Sequence, residues 1–220
     1  MKANPSPRPK ILILVSGEGS NLQALIESSR ERDYPADIVA VGSNQAKAPA
    51  LAKAAHANIP TFVIEHGHYG SRDEFDGALM QEIRRHNPDI IVLAGFMRIL
   101  TAGFVRAFRG QLLNIHPSLL PKYTGLKTHQ RALDAGDKKH GASVHFVTEE
   151  LDGGPIIAQV QIRVSPDDSA ESLAQKVQVQ EHVLYPIVVR WCCEGRVQLG
   201  TDRVLFDGQA LPRPLVLSAN

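Results

Sequence analysis

Short apolar runs alternate with segments of helical period through the first half of the chain. Residues 11–16 read as a strand, followed by a turn at Gly17-Glu18-Gly19-Ser20-Asn21 and a helix whose Leu22, Leu25 and Ile26 share one face. Asp37–Ser43 predicts a second strand, residues 48–57 an alanine-rich helix and residues 61–65 a third strand. Ser71 can cap the next helix, with Glu74 at capping-box spacing and Phe75, Leu79 and Ile83 on its buried side, and Pro88 marks its end. Residues 89–94 are nearly all apolar, as in a strand covered on both faces, and residues 112–115 predict another. Strands alternating with helices in this way predict right-handed βαβ crossovers and a mostly parallel twisted sheet with helices on both faces, an α/β fold.

The later half changes character. Residues 142–147 alternate, Asp152-Gly153-Gly154 turns the chain, and residues 156–164 return, which predicts a long β-hairpin. Asp167, Asp168 or Ser169 can start a long helix with Leu173, Val177, Leu184, Ile187, Val188 and Trp191 as its core stripe and a kink at Pro186. On that pattern Gln178 and Glu181 fall on a polar face away from the stripe. They are either solvated or placed to grip a substrate amine. The expected organisation is a flexible tail over 1–10, one domain over 11–206 and an irregular tail over 207–220, with Pro212 and Pro214 in the last.

Composition narrows the function. The 220 residues, 43% of them hydrophobic, suffice for a substantial core, and 24 Lys and Arg against 23 Asp and Glu give no strong field to recruit nucleic acid or a membrane surface. The apolar run at 11–15 is too short for a signal segment or a span, and the adjacent Cys192 and Cys193 can form neither an ordinary disulfide nor a metal site. A soluble protein of the reducing cytoplasm is expected. His66-Gly67-His68 lacks a third ligand in any zinc spacing, so no metal is expected.

The chemistry concentrates in Asn114-Ile115-His116-Pro117 and in Leu151-Asp152-Gly153-Gly154-Pro155. Asn114 and His116 are two apart on an extended segment and point the same way, while the glycines after Asp152 permit close approach to a ligand. An amide, an imidazole and a carboxylate can polarise a carbonyl and move a proton. There is no Gly-x-Ser-x-Gly elbow, and the cysteines lie on the wrong kind of element for a nucleophile, so direct acyl transfer is expected rather than an acyl-enzyme. The turn at 17–21 stands between strand and helix, where free N–H groups favour a phosphate. It equally reads as a tight turn with a Ser or Asn cap. Arg72 at a helix start opposes the dipole preference, and Gly95 to Leu100 can line a flat apolar pocket or belong to the core.

The motifs at 16–23, 93–100, 112–123, 143–148 and 151–156, in this order and spacing, resemble the phosphoribosylglycinamide formyltransferases, the folate-dependent transformylases of purine synthesis, from about Ile11 to about Pro212. The resemblance implies that Asn114, His116 and Asp152 are catalytic, with His116 the proton donor. It implies that Gly19, Ser20, Asn21, Gln178 and Glu181 hold glycinamide ribonucleotide, with the loop taking its phosphate. Arg72, Met97, Arg98, Ile99, Leu100, Asn114, Thr148, Glu149, Glu150, Leu151 and Asp152 fall on the side of the co-substrate 10-formyltetrahydrofolate, and Ser143 and His145 stand behind them. It further implies a Rossmann-like half over 11–115, taking the phosphate, and a catalytic and folate half over 116–206. Glu18 would sit badly beside a phosphate, so its side chain is expected to point out.

Relatives with the same Asn-x-His and Asp chemistry act on initiator tRNA or hydrolyse formyltetrahydrofolate, and carry an extra domain for which this chain leaves no room. A silent nucleotide-binding module is the other alternative, and it would not need all three polar residues. The oligomeric state stays open.

Overall fold

The alternation of side chains along the first strand decides where the core lies. In the computed structural model, which describes residues 7–218, β1 (Lys10–Val15) sends Ile11, Ile13 and Val15 into one apolar cluster and Leu12 and Leu14 into another. The first cluster is covered by α1 (Ser20–Ser29), α2 (Pro49–His56) and the long α6 (Ala170–Cys193), the second by α3 (Arg72–His86) and α4 (Ala102–Ala107). Water reaches neither face, so every position of the central strands can be apolar.

The remaining helix is α5 (Thr128–Asp134), and the remaining strands are β2 (Asp37–Ser43), β3 (Thr61–Val63), β4 (Ile90–Leu93), β5 (Leu112–His116), β6 (Lys139–Phe146), β7 (Ile156–Arg163), β8 (Val197–Leu199), β9 (Val204–Phe206), β10 (Gln209–Ala210) and β11 (Leu215–Ser218). Eight strands form one sheet in the order β11-β7-β6-β5-β4-β1-β2-β3, with β6 antiparallel to both neighbours and every other pairing parallel. Strand order reverses between β1 and β4, and a crevice opens outside the carboxyl ends of strands at such a point. The loops leaving β1, β4 and β5, which carry the sequence motifs, all start on that edge.

The expected α/β class, parallel strands, hairpin and long C-terminal helix are all present. Three readings need correction. The stretch from 207 onward is not irregular, because β10 closes a small antiparallel sheet with β8 and β9, and β11 adds to the edge of the main sheet with Leu215 opposite Ala158. Pro212 and Pro214 stop short of that strand, whose own donors are intact. At the other end, residues 1–6 of the expected tail lie outside the described residues, but Arg8 bonds the Ala36 carbonyl at 2.8 Å and Lys10 already belongs to β1.

The third correction concerns α6. Its buried side comprises Leu173, Val177, Glu181, Leu184, Tyr185, Pro186, Val188, Val189 and Cys193, so Glu181 lies on the core stripe rather than away from it, while Ile187 and Trp191 are only half-buried. Spacing explains this, because 177, 181, 184, 185 and 188 follow the helical repeat, and a face counted by apolar residues alone passes over the carboxylate. Ser169 is the N-cap, its hydroxyl accepting the Ser172 N–H, and the helix runs from Ala170 past Pro186 to Cys193 as one element.

Candidate active site

β5 is the source of two of the three polar groups. Asn114 stands opposite His145 and His116 opposite Ser143 in the antiparallel pairing with β6, so all four share one face. The His145 Nδ1 lies 2.9 Å from the Phe146 carbonyl, which can only accept, so that nitrogen carries the proton. Burial of His145 lowers its pKa and keeps the ring neutral. Its Nε2 is therefore an acceptor and takes a hydrogen bond from Asn114 Nδ2 at 3.2 Å. The bond fixes the Asn114 amide and leaves its second N–H free to face the crevice.

His116 is assigned in the same way. Its Nε2 lies 2.8 Å from the Tyr123 carbonyl and must donate there, while its Nδ1 faces Asp152 Oδ2 at 3.4 Å. Only Nδ1 can gain or lose a proton without breaking a bond, and its protonation makes an ion pair with Asp152. Asp152 sits at the hairpin tip with φ 53° and accepts the Gly125 N–H at 2.9 Å, and its other oxygen lies 3.8 Å from His145 Nε2. Gly154 is required close by, since a Cβ there would collide with the Phe146 carbonyl.

The loop after His116 is held from beneath. Ser143 Oγ accepts the Leu120 N–H at 3.0 Å and donates to the Ser118 carbonyl at 2.6 Å, and Gln159 Nε2 donates to Ser143 Oγ at 2.8 Å and to the Leu120 carbonyl at 2.9 Å. Asp137 takes the Lys122 ammonium and the Tyr123 hydroxyl, each at 2.9 Å. The family resemblance pointed to Ser143 and His145, whereas the Tyr123 carbonyl and the Gly125 amide escape any reading of the sequence, because a main-chain group has no signature in residue type. Sequence reasoning also missed Gln159 and Asp137, for which an alternating strand and a polar turn gave no distinguishing signal.

Between β1 and α1 the chain does not take a side-chain cap. Gly19 is the N-cap residue at φ 69°, and an added Cβ would stand 2.6 Å from that of Ala50. Ser20 Oγ instead accepts from Gln178 Nε2 at 3.1 Å, and Asn21 Nδ2 donates to Glu181 Oε2 at 2.9 Å. The polar residues of α6 and the first turn of α1 thus form one unit, with the uncapped N–H groups of a ten-residue helix left for an anion. Glu18 is exposed. Burial raises the Glu181 carboxyl above its ordinary range, with the Asn21 bond acting in the opposite direction.

Beyond β4, Met97 and Ile99 project with 68% and 55% exposure, Leu100 packs against the α3 and α4 core, and the Arg98 guanidinium lies 5.8 Å from the centre of the Phe75 ring. Across the crevice Leu151 is also exposed, Thr148 Oγ1 bonds the Glu150 carbonyl at 3.4 Å, and the Glu149 side chain pairs with Arg106 of α4 at 2.9 Å. Arg72, first residue of α3, is exposed. Among the described residues no group of three or more His, Cys, Asp or Glu could hold a metal ion, and His68 pairs with Glu65 at 3.3 Å.

A parallel sheet with an amide, an imidazole and a carboxylate at its carboxyl edge, beside an anion-ready helix start, defines an α/β enzyme built for group transfer at a carbonyl carbon. The chain belongs to the formyl transferase family, which matches residues 9–189. It is 48% identical over 202 residues to the phosphoribosylglycinamide formyltransferase of Escherichia coli (strain K12), covering 92% of this chain and 95% of that protein. It is 45% identical over 195 residues to the trifunctional purine biosynthetic protein adenosine-3 of Homo sapiens, covering 89% of this chain and 19% of that one. The solved phosphoribosylglycinamide formyltransferase of Coxiella burnetii superposes with a TM-score of 0.91 at 44% identity, over 96% of this chain and 99% of that one.

Proposed function

We propose that this chain transfers the formyl group of 10-formyltetrahydrofolate to the amine of glycinamide ribonucleotide, in purine synthesis. The observation that carries the reading is the meeting of Asn114, His116 and Asp152 within one linked set of contacts, with His116 Nδ1 turned toward the carboxylate and away from the Tyr123 carbonyl. The substrate phosphate lies on the N–H groups at 19–21, and Gln178 and Glu181 lie along the rest of the ribonucleotide. The folate lies between Met97 to Leu100 on one side and Thr148 to Asp152 on the other, with Arg72 at its outer end.

The amine attacks the formyl carbon, and the new C–N bond forms as the carbonyl oxygen becomes an oxyanion. Asn114 Nδ2 and the protonated His116 Nδ1 donate to that oxyanion, and one such donor is worth about 10²–10³ in rate. Asp152 holds the imidazolium and accepts the proton the amine loses. The C–N10 bond then breaks, and N10 takes the proton from His116. No residue of the chain is acylated. Burial raises both thiols, Cys193 to about 12, and they lie at the far end of α6. The free cysteines suit a reducing cytoplasm.

Purified protein given 10-formyltetrahydrofolate and either glycinamide ribonucleotide or initiator methionyl-tRNA tests the reading. Formylation of the ribonucleotide with sequential kinetics is expected. Transfer to the tRNA, ping-pong kinetics, or no transfer at all would defeat it.

A further inference from the structure

Residues just beyond the ends of three neighbouring strands, β4, β1 and β2, form a single hydrogen-bonded chain. The Met97 N–H donates to Ser16 Oγ at 2.8 Å, and Ser16 Oγ donates to Asn44 Oδ1 at 2.6 Å. The Met97 main-chain N–H can only donate, so the hydroxyl accepts there and keeps its own proton, which it gives to the amide oxygen of Asn44. Beyond it His66 Nδ1 lies 3.1 Å from both the Asn44 side-chain nitrogen and the Asn44 main-chain carbonyl, closing the far side of the pair. Ser16 and Asn44 are 5% and 3% exposed, whereas Met97 is 68% exposed, so a surface loop is tied by its main chain to a buried pair.

We infer that Ser16 and Asn44 are positioning residues that hold the segment 97–100 at its place in the folate cleft, an inference that rests on the reading of that segment given above. Met97 and Ile99 are large, exposed and without a core to seat them, and Gly95 at φ 74° starts the turn that leads to them. The Ser16 hydroxyl is the bond that fixes where this apolar wall begins. Ser16 also opens the loop that runs to Gly19, but its side chain points to β4 and β2, so its loss falls on the folate side.

Steady-state kinetics of Ser16→Ala, Asn44→Ala and the double variant test this, with Ser16→Thr keeping the hydroxyl. The KM for 10-formyltetrahydrofolate should rise about tenfold in the three alanine proteins, and the double variant should be no worse than either single one. The KM for glycinamide ribonucleotide and kcat should stay within about twofold, a window well below the cost of an unpaired buried group, and Ser16→Thr should behave as the parent. Equal rises in both KM values, additive effects, or a lowered Tm with unchanged folate KM would overturn the inference.

Amide exchange of Met97 in the unaltered protein reads the same bond should the alanine proteins fail to fold. Strong protection on so exposed a residue is expected, and exchange at the rate of a free loop would overturn it. Failure of the underlying functional reading looks different: the unaltered protein would then neither transfer formyl nor bind tetrahydrofolate, whatever Met97 does.

Discussion

His116 Nδ1 and Asp152 Oδ2 stand 3.4 Å apart, one at the end of a central strand and the other at the tip of the next hairpin. The Tyr123 carbonyl holds the opposite face of the ring, so the nitrogen facing the carboxylate is the one with a proton to exchange. Asp152→Asn keeps an acceptor for the Gly125 N–H, and asparagine tolerates the left-handed backbone found there. It removes the charge that supports the imidazolium. Turnover should fall about 10²–10⁴-fold with little change in Tm or ribonucleotide binding, as read by kinetics beside calorimetry. Near-parental kcat would remove Asp152 from the scheme.

The role proposed for Glu181 predicts effects of opposite sign on function and on stability. Its carboxyl is raised by burial, so the folded chain holds that proton more tightly than the unfolded one, and stability is lost as pH climbs through the raised pKa. Glu181→Gln should therefore raise Tm at neutral pH and leave it unchanged well below the ordinary carboxylate range. The KM for glycinamide ribonucleotide should rise about 10–100-fold through loss of a charged acceptor. A variant that gains stability without losing substrate affinity would show that the carboxylate does not touch the ligand.

His140 sets an acid limit on the fold. Burial, together with the neighbouring His129 whose Nδ1 lies 3.1 Å away, lowers its pKa to about 4. The unfolded chain takes the proton first, so stability is whole above about pH 6.5 and drains as pH falls toward about 4. His140→Asn should flatten the fall in Tm across that window, as followed by thermal melts at a series of pH values. An unchanged slope would assign the acid loss to other groups.

Gly154→Ala tests the hairpin tip. The new methyl has no room beside the Phe146 carbonyl, so the turn must shift, at a cost of about 1–3 kcal/mol. Because Asp152 stands two residues earlier, kcat should drop with Tm. A protein that accommodates the methyl at full activity would mean that the tip is looser than its contacts indicate.

Local pattern was enough for much of this protein. Apolar runs of strand length, helical spacing in Phe75, Leu79 and Ile83, and the Gly-rich turn after Asp152 are short-range features, and each sets its own element by burial and backbone preference. The same rule misjudged Glu181, because a helix face counted by apolar residues alone skips a buried carboxylate whose partner, Asn21, lies on another helix. It also missed β11, whose strand state depends on an edge of β7 that no neighbouring residue discloses. Residue types named Asn114, His116 and Asp152 as a trio, but which nitrogen of His116 faces the carboxylate was chosen by a carbonyl, and the start of the exposed segment 97–100 by a hydroxyl beyond another strand. Main-chain donors and acceptors are the same in every residue, so their direction is decided only when the chain has folded.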